Sequence, residues 1–385
     1  ALIAAPAAPL SAFAVAGEVL NLHRRAYVVD AHCDTAMRLI GAGAVDLGER
    51  LEDGHIDLPR MAEGGVDAQI FACWPNPRLA AEEYLKQTLQ MIDALWEQAA
   101  RHGDSFELAL DGADLERISS EGKTAGIIGI EGGHAILDDL GILRDYHRLG
   151  VRCMTLTWMN TNGWADSSDD TTMWGGLNDF GREVIREMDR LGMIIDCSHV
   201  SDSTFFDVVE TTSNPVLVSH SCMRALCDIP RNVSDDLLRA LAANGGVVCI
   251  NYFPGFLDKD YYERASAVWS EFGRRREELS ERYGGDGAKA REELRAEYEE
   301  RMGSIAVPSI GALVDHIDHA VSIAGVDHVG LGSDFDGISV LPKGMEDVAD
   351  LPAVTAELKG RGYSDEDVEK ILGGNLRRLF ERVLQ

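Results

Sequence analysis

The chain has 385 residues, 45% hydrophobic and 26% charged, which describes a folded globular protein and excludes a disordered or collagen-like one. Acidic residues outnumber basic ones by 65 to 36, and the formal charge of −29 argues against any grip on nucleic acid or on an anionic membrane. Seven cysteines without a CxxC pair provide neither a disulfide framework nor a zinc ribbon, and they read as small buried fillers.

Residues 1–16 are small and apolar and end in Ala14-Val15-Ala16. They fit either the tail of a signal peptide, with a periplasmic or secreted protein, or the first turn of a processed chain packed on the core. No apolar run elsewhere reaches the roughly 18 residues of a membrane-spanning helix. Short β-branched runs then recur at 26–30, 66–72, 125–130, 151–157, 193–197, 215–219, 246–251 and 328–332, and each reads as a strand. Stretches with helical spacing lie between them, among them 80–102, 179–191 and 233–244, the last opened by Ser234-Asp235-Asp236 as an N-terminal cap. Eight strands alternating with helices predict a (β/α)8 barrel, and residues 1–385 read as one elaborated domain. One crossover is oversized: residues 258–303 carry 13 acidic and 10 basic side chains around a Gly284-Gly285 break, which predicts a charged helical hairpin inserted after the seventh strand.

Side chains that can do chemistry collect at the ends of these strands. His32 and Asp34 are two residues apart, so in extended chain both face the same side and can reach one metal ion. The third predicted strand ends at Glu131, the fifth at His199, the sixth at His220, and the eighth at Asp334 and Asp336. A barrel builds its active site at these ends. Imidazoles with hard carboxylate oxygens suit zinc, with manganese, cobalt or iron able to take the same ligands. Three histidines and two carboxylates exceed what one catalytic zinc needs, so the pattern predicts two ions per chain joined by a bridging carboxylate. No lysine lies between Lys123 and Lys259 to serve as a modified bridge, which leaves Glu131, flanked by glycines, for that place. His32 and Asp34 then fall to one ion, and His199 and His220 to the other.

The ordered blocks Asp30-Ala31-His32-Cys33-Asp34, Gly129-Ile130-Glu131-Gly132, Asp196-Cys197-Ser198-His199, Ser219-His220-Ser221, Pro230-Arg231-Asn232-Val233 and Gly332-Ser333-Asp334-Phe335-Asp336-Gly337 resemble the membrane dipeptidase (renal dipeptidase) family of zinc peptidases. The resemblance runs from about residue 18 to the C-terminus. It implies a binuclear zinc barrel that hydrolyses L-Xaa-L-Xaa and L-Xaa-D-Xaa dipeptides by a metal-bridged hydroxide. It also implies that Arg231 clamps the substrate carboxylate, that Asp334 shuttles the proton and contacts the substrate amine, and that Asp336 supports the site from behind. A homodimer is carried over from the family in the same way. One position departs from the pattern: Trp158 stands where the family has a substrate-contacting His; its indole can donate one hydrogen bond, and Asn160 or Asn162 can supply another donor to the oxyanion. Trp164 and Trp174, later in that loop, read as packing residues. Two other readings stay open: the same centre acting on another amide, a lactam or a lactone, or a metal-binding barrel that has lost turnover.

Overall fold

The computed structural model describes residues 17–385; the apolar segment 1–16 lies outside the described residues. Nine parallel strands are found among them: β1 (Val29–Cys33), β2 (Ala68–Cys73), β3 (Phe106–Leu108), β4 (Thr124–Glu131), β5 (Val151–Thr155), β6 (Ile194–Asp196), β7 (Leu217–Ser221), β8 (Val247–Ile250) and β9 (Val329–Leu331). Eight of them close a barrel in the order β1-β2-β4-β5-β6-β7-β8-β9, shut by the pairing of Asp30 with Leu331. This is the (β/α)8 architecture, with every predicted strand present.

Two differences from the sequence reading have local causes. β3 was not foreseen, because three residues are too few to show alternation. It lies outside the ring, pairing with Thr124 to Gly126 of β4 on the edge that β5 takes over from Ile128. The first and sixth strands also run further than their apolar runs, to Cys33 and Ser221, so that His32 and His220 sit inside strands and not after them.

The helices begin and end where their caps dictate. Asn178 accepts from the amide of Gly181 to open the helix Asp179–Leu191, which stops at Gly192 in the left-handed region. Ser234 does the same for Asp235–Asn244 through the amide of Leu237. In Ala81–Arg101 the buried residues Thr88, Met91, Ile92, Leu95 and Gln98 recur every three or four positions, which turns one stripe toward the core. A separate cluster joins Val29, Ala68, Ile127, Leu217 and Val247 of the strands to Leu376, Leu379 and Phe380 of the C-terminal helix Asn375–Val383. All seven cysteines are free and buried.

The charged insertion is a hairpin of two helices, Lys259–Arg282 and Gly287–Gly303, following the seventh barrel strand. Ion pairs Arg275–Glu297 (2.6 Å) and Arg301–Glu271 (3.2 Å) link the helices, but such exposed pairs contribute only about 0–1 kcal/mol each. Tyr261, Phe272, Leu279, Ala290 and Leu294 form a cluster of the hairpin's own, separate from that of the barrel, and this holds it together.

Close approach of strands makes one glycine indispensable. A Cβ at Gly332 would stand 1.7 Å from the carbonyl oxygen of Ser219 and 2.9 Å from Cβ of Cys249. Gly332→Ala is therefore expected to destabilise the barrel by about 1–3 kcal/mol or more, read as a lowered midpoint in urea unfolding.

Candidate metal centre and substrate site

The carboxyl ends of the strands bring His32, Asp34, Glu131, His199, His220 and Asp334 into one cluster, buried except for the half-buried Asp334. Glu131, the last residue of β4, lies at its middle. One carboxylate oxygen, Oε1, stands 2.9 Å from Nε2 of His199 and 3.4 Å from Nε2 of His220. The other, Oε2, is 3.8 Å from Nε2 of His32, which in turn is 3.6 Å from Oδ2 of Asp34. Donors held at about 2.1 Å from one tetrahedral ion are separated by about 3.4 Å, so the 3.4–3.8 Å spacings suit shared coordination, whereas His199 lies at hydrogen-bond distance from both Glu131 (2.9 Å) and Nε2 of His220 (3.0 Å). Nε2 of His32 is buried without a hydrogen-bond partner among the described residues. Two groups of donors with free lone pairs lie close enough to hold a metal ion, Glu131 with His199 and His220, and His32 with Asp34 and Asp334.

Electrostatics point the same way. Burial, with the negative charges of Asp34 and Asp334 beside it, raises the Glu131 carboxyl well above its ordinary range. Burial lowers His199 and His220 well below the usual imidazole range. Burial pulls His32 down too, but the carboxylates of Glu131, Asp34 and Asp334 outweigh it and push the imidazole up to about 10. Desolvation, then the charge of Asp34, lifts Asp334 to about 7. Charges packed this tightly out of water call for counter-cations.

A layer beneath the donors orients them. Nδ1 of His220 lies 2.7 Å from Oγ of Ser219, which donates to Oδ2 of Asp196 at 2.6 Å. With its one proton spent on Asp196, the hydroxyl accepts from Nδ1, and the Nε2 lone pair of His220 faces the centre. Asp196 also accepts from Oγ1 of Thr155 and from the amides of Ser198 and Ser219. Although it lies near His32 and His220, its oxygens are taken, and it acts as a buried anchor and not as a free ligand. Asp30 is the counterpart on β1, accepting from the amide and hydroxyl of Ser333.

Backbone geometry brings Asp34 and Asp334 side by side. The amide of Asp34 donates to the carbonyl of Phe335, and that of Asp334 to the carbonyl of His32. A Cβ at Gly337 would fall 2.0 Å from Oδ2 of Asp34 and 2.3 Å from Oδ1 of Asp334, so only glycine lets the two carboxylates nest there. His199, Asp334 and Asp336 all have φ near +65°, an uncommon conformation for side-chain-bearing residues that clusters at functional sites. Asn251, just beyond β8, donates to Oδ2 of Asp334 at 2.9 Å. Asp336 accepts from the hydroxyl of Thr35 and the amide of His55, which places it behind the cluster.

Arg231 is buried beside the donors. Its Nη1 donates to Oγ of Ser221 (2.6 Å) and its Nη2 to the carbonyl of His220 (2.7 Å), while Nε has no partner among the described residues. Trp158 is half-buried against Trp74, with ring centroids 4.7 Å apart. Of the two asparagines in that loop, Asn162 donates to the carbonyl of Leu156 and accepts from the amides of Trp164 and Ala165. It is held in place by the loop, whereas Asn160 makes no such commitment and its Oδ1 is buried without a partner among the described residues. Trp164 packs in the core as expected. Trp174 does not: it is 41% exposed, and its Nε1 donates to the carbonyl of Asn162.

Asp196, Ser219, Asn251 and Gly337 were given no role by sequence reasoning. Three of them lie inside the motif blocks that carry the donors, which was the available signal; Asn251 lies outside every block, and its signal was its place at the end of the predicted strand 246–251.

A (β/α)8 barrel with imidazoles and carboxylates converging at the carboxyl ends of its strands defines a metal-dependent hydrolase of the barrel class. The chain belongs to the membrane dipeptidase family, peptidase family M19, whose model matches residues 17–385. It is therefore a dipeptidase and a metallopeptidase. It is 32% identical to Dipeptidase tcpJ of Claviceps purpurea over 339 residues, covering 86% of this chain and 69% of that one. The fold superposes on the probable dipeptidase PvdM from Pseudomonas aeruginosa with a TM-score of 0.82, at 27% identity over 95% of this chain and 97% of that one. It also superposes on a metallo peptidase from Rhodobacter sphaeroides liganded with a phosphinate mimic of the dipeptide L-Ala-D-Ala, with a TM-score of 0.76 at 26% identity over 93% of this chain and 99% of that one.

The Ser219 relay generates a specific expectation. Ser219→Ala should weaken metal affinity by about 10–100-fold in chelator competition while the circular dichroism spectrum of the folded barrel is retained.

Proposed function

We propose that the chain is a binuclear zinc dipeptidase that cleaves L-Xaa-L-Xaa and L-Xaa-D-Xaa dipeptides. The observation that carries this reading is the Glu131 carboxylate, with Oε1 toward His199 and His220 and Oε2 toward His32. His32 and Asp34 would hold one zinc, His199 and His220 the other, with Glu131 bridging. Zinc held there would supply hydroxide at neutral pH and Lewis-acid polarisation of the scissile carbonyl.

The chain's own groups do the rest. Asp334 is the carboxyl placed to pass a proton to the leaving amine, and Asn251 holds it there through a hydrogen bond to Oδ2. Arg231 spends two donors on Ser221 and His220 and keeps three, including the unpartnered Nε, for the substrate carboxylate. A cation that recognises the C-terminal carboxylate and an acid that meets the N-terminal amine together set a length of two residues. Trp158, backed by Trp74, offers the substrate an indole face where the family has an imidazole. The Trp158 indole N–H and the Asn160 amide are side-chain donors of that loop that could serve an oxyanion.

The test is hydrolysis of an L,L and L,D dipeptide panel by protein whose zinc content is measured in the same sample. Turnover near two zinc per chain, with tripeptides cleaved far more slowly, is the expected result. Inertness toward the panel at full occupancy, or equal rates on tripeptides, would overturn the reading. Glu131→Gln is expected to lose bound zinc and activity together. Arg231→Ala should keep its zinc but lose about 10–100-fold in kcat/KM on dipeptides, chiefly through KM, as expected for one lost charge-assisted contact.

A further inference from the structure

A cavity of about 980 Å³ lies between the charged hairpin and the loop that follows β9. It is at the upper end of the size range of small-molecule sites, and Trp269, Phe272, Leu294, Tyr298, Ile305 and Val340 give it apolar walls. None of these residues belongs to the metal cluster.

Two features set its shape and charge. Gly273 lines it from the interior of the 24-residue helix Lys259–Arg282, where glycine costs about 0.5–1 kcal/mol relative to alanine. A Cβ at Gly273 would meet nothing within 4 Å, so no neighbour in the chain requires the glycine; its effect is to widen the cavity. Arg276 and Arg291 also line it, and among the described residues neither has a carboxylate within 4 Å. Elsewhere in the hairpin Arg275, Arg295 and Arg301 are all paired, Arg295 with the wall residues Glu292 and Glu299. Arg274, Arg282 and Lys289 of the hairpin also lack a carboxylate partner among the described residues, but only Arg276 and Arg291 stand in the wall of the cavity, where they are complementary to an anion from outside.

We propose that this cavity binds a single-chain amphiphilic carboxylate, its hydrocarbon tail between Trp269, Phe272 and Tyr298 and its carboxylate on Arg276 and Arg291. The site is separate from the peptidase centre and does not rest on the assignment made there.

Calorimetric titration of the full, metal-loaded chain with dodecanoate, kept below its micellar concentration, tests it. Saturable binding of one dodecanoate per chain is expected, with dodecanol weaker and dodecyltrimethylammonium without binding. Gly273→Leu fills the cavity and improves helix propensity, so it should lower dodecanoate affinity by at least about tenfold with no loss of thermal stability. The double variant Arg276→Gln/Arg291→Gln should weaken dodecanoate by about tenfold and leave dodecanol unchanged. The proposal is overturned if dodecanoate shows no saturable binding, if either variant binds it like the parent, or if the ammonium amphiphile binds as tightly. Sedimentation showing a dimer that Gly273→Leu dissociates would also overturn it, by assigning the cavity to a second copy.

Discussion

Four carboxylates, Asp30, Asp34, Glu131 and Asp196, are buried and a fifth, Asp334, is half-buried at one end of a barrel that contains no lysine between residues 123 and 259. Removing each such charge from water costs several kcal/mol, so each needs hydrogen bonds, a proton or a cation. Asp30 and Asp196 are satisfied by serine, threonine and amide donors, and they become anchors of the strands. Glu131, Asp34 and Asp334 are not satisfied in that way. Around them stand two imidazoles lowered by burial, one raised by its acidic neighbours, and a single buried guanidinium. The shortfall of positive charge is what makes this a place for divalent ions, and the family to which the chain belongs is one of metallopeptidases.

The remaining architecture keeps that charge cluster in place against its own repulsion. Three left-handed residues, His199, Asp334 and Asp336, lie in the turns just beyond β6 and β9, where the chain must leave the barrel and still aim a side chain back into it. The strain is held by local hydrogen bonds: Asp196 to Ser198 and Ser219 on one side, Asn251 and Ser333 on the other. Glycine appears where two backbones or two carboxylates must approach, at Gly332 and Gly337, and there the missing Cβ is the functional feature.

The hairpin stands apart from this economy. Its apolar cluster is its own, and the helices are joined by exposed ion pairs. Next to it Phe253 stacks on Trp269, and the Arg231 guanidinium lies 5.3 Å over the ring of Phe256. A barrel loop can carry such an insertion because the strands beneath already close the main core.

Much of this was legible in the linear chain. The eight barrel strands show as apolar runs because each is buried on both faces, and the hairpin shows as charge at helical spacing. His32, Asp34, Glu131, His199, His220 and Asp334 could be picked out because each follows or ends such a run, and chemistry-bearing residues at strand ends have one common destination in a barrel. What the sequence could not disclose depends on distances between segments far apart in the chain. β3 is three residues long and exists only because the edge of β4 is open there. Asn162 and Asn160 look alike as residues, but one is held in place by loop hydrogen bonds and the other is not. Trp174 is apolar in composition yet exposed, and Asn251 reaches Asp334 across 83 residues. Residue type and periodicity determine which groups are present and which strand end each occupies. Which lone pairs remain free once every neighbour has been satisfied is settled only when the barrel closes, because hydrogen bonds saturate and only packing decides who is within reach.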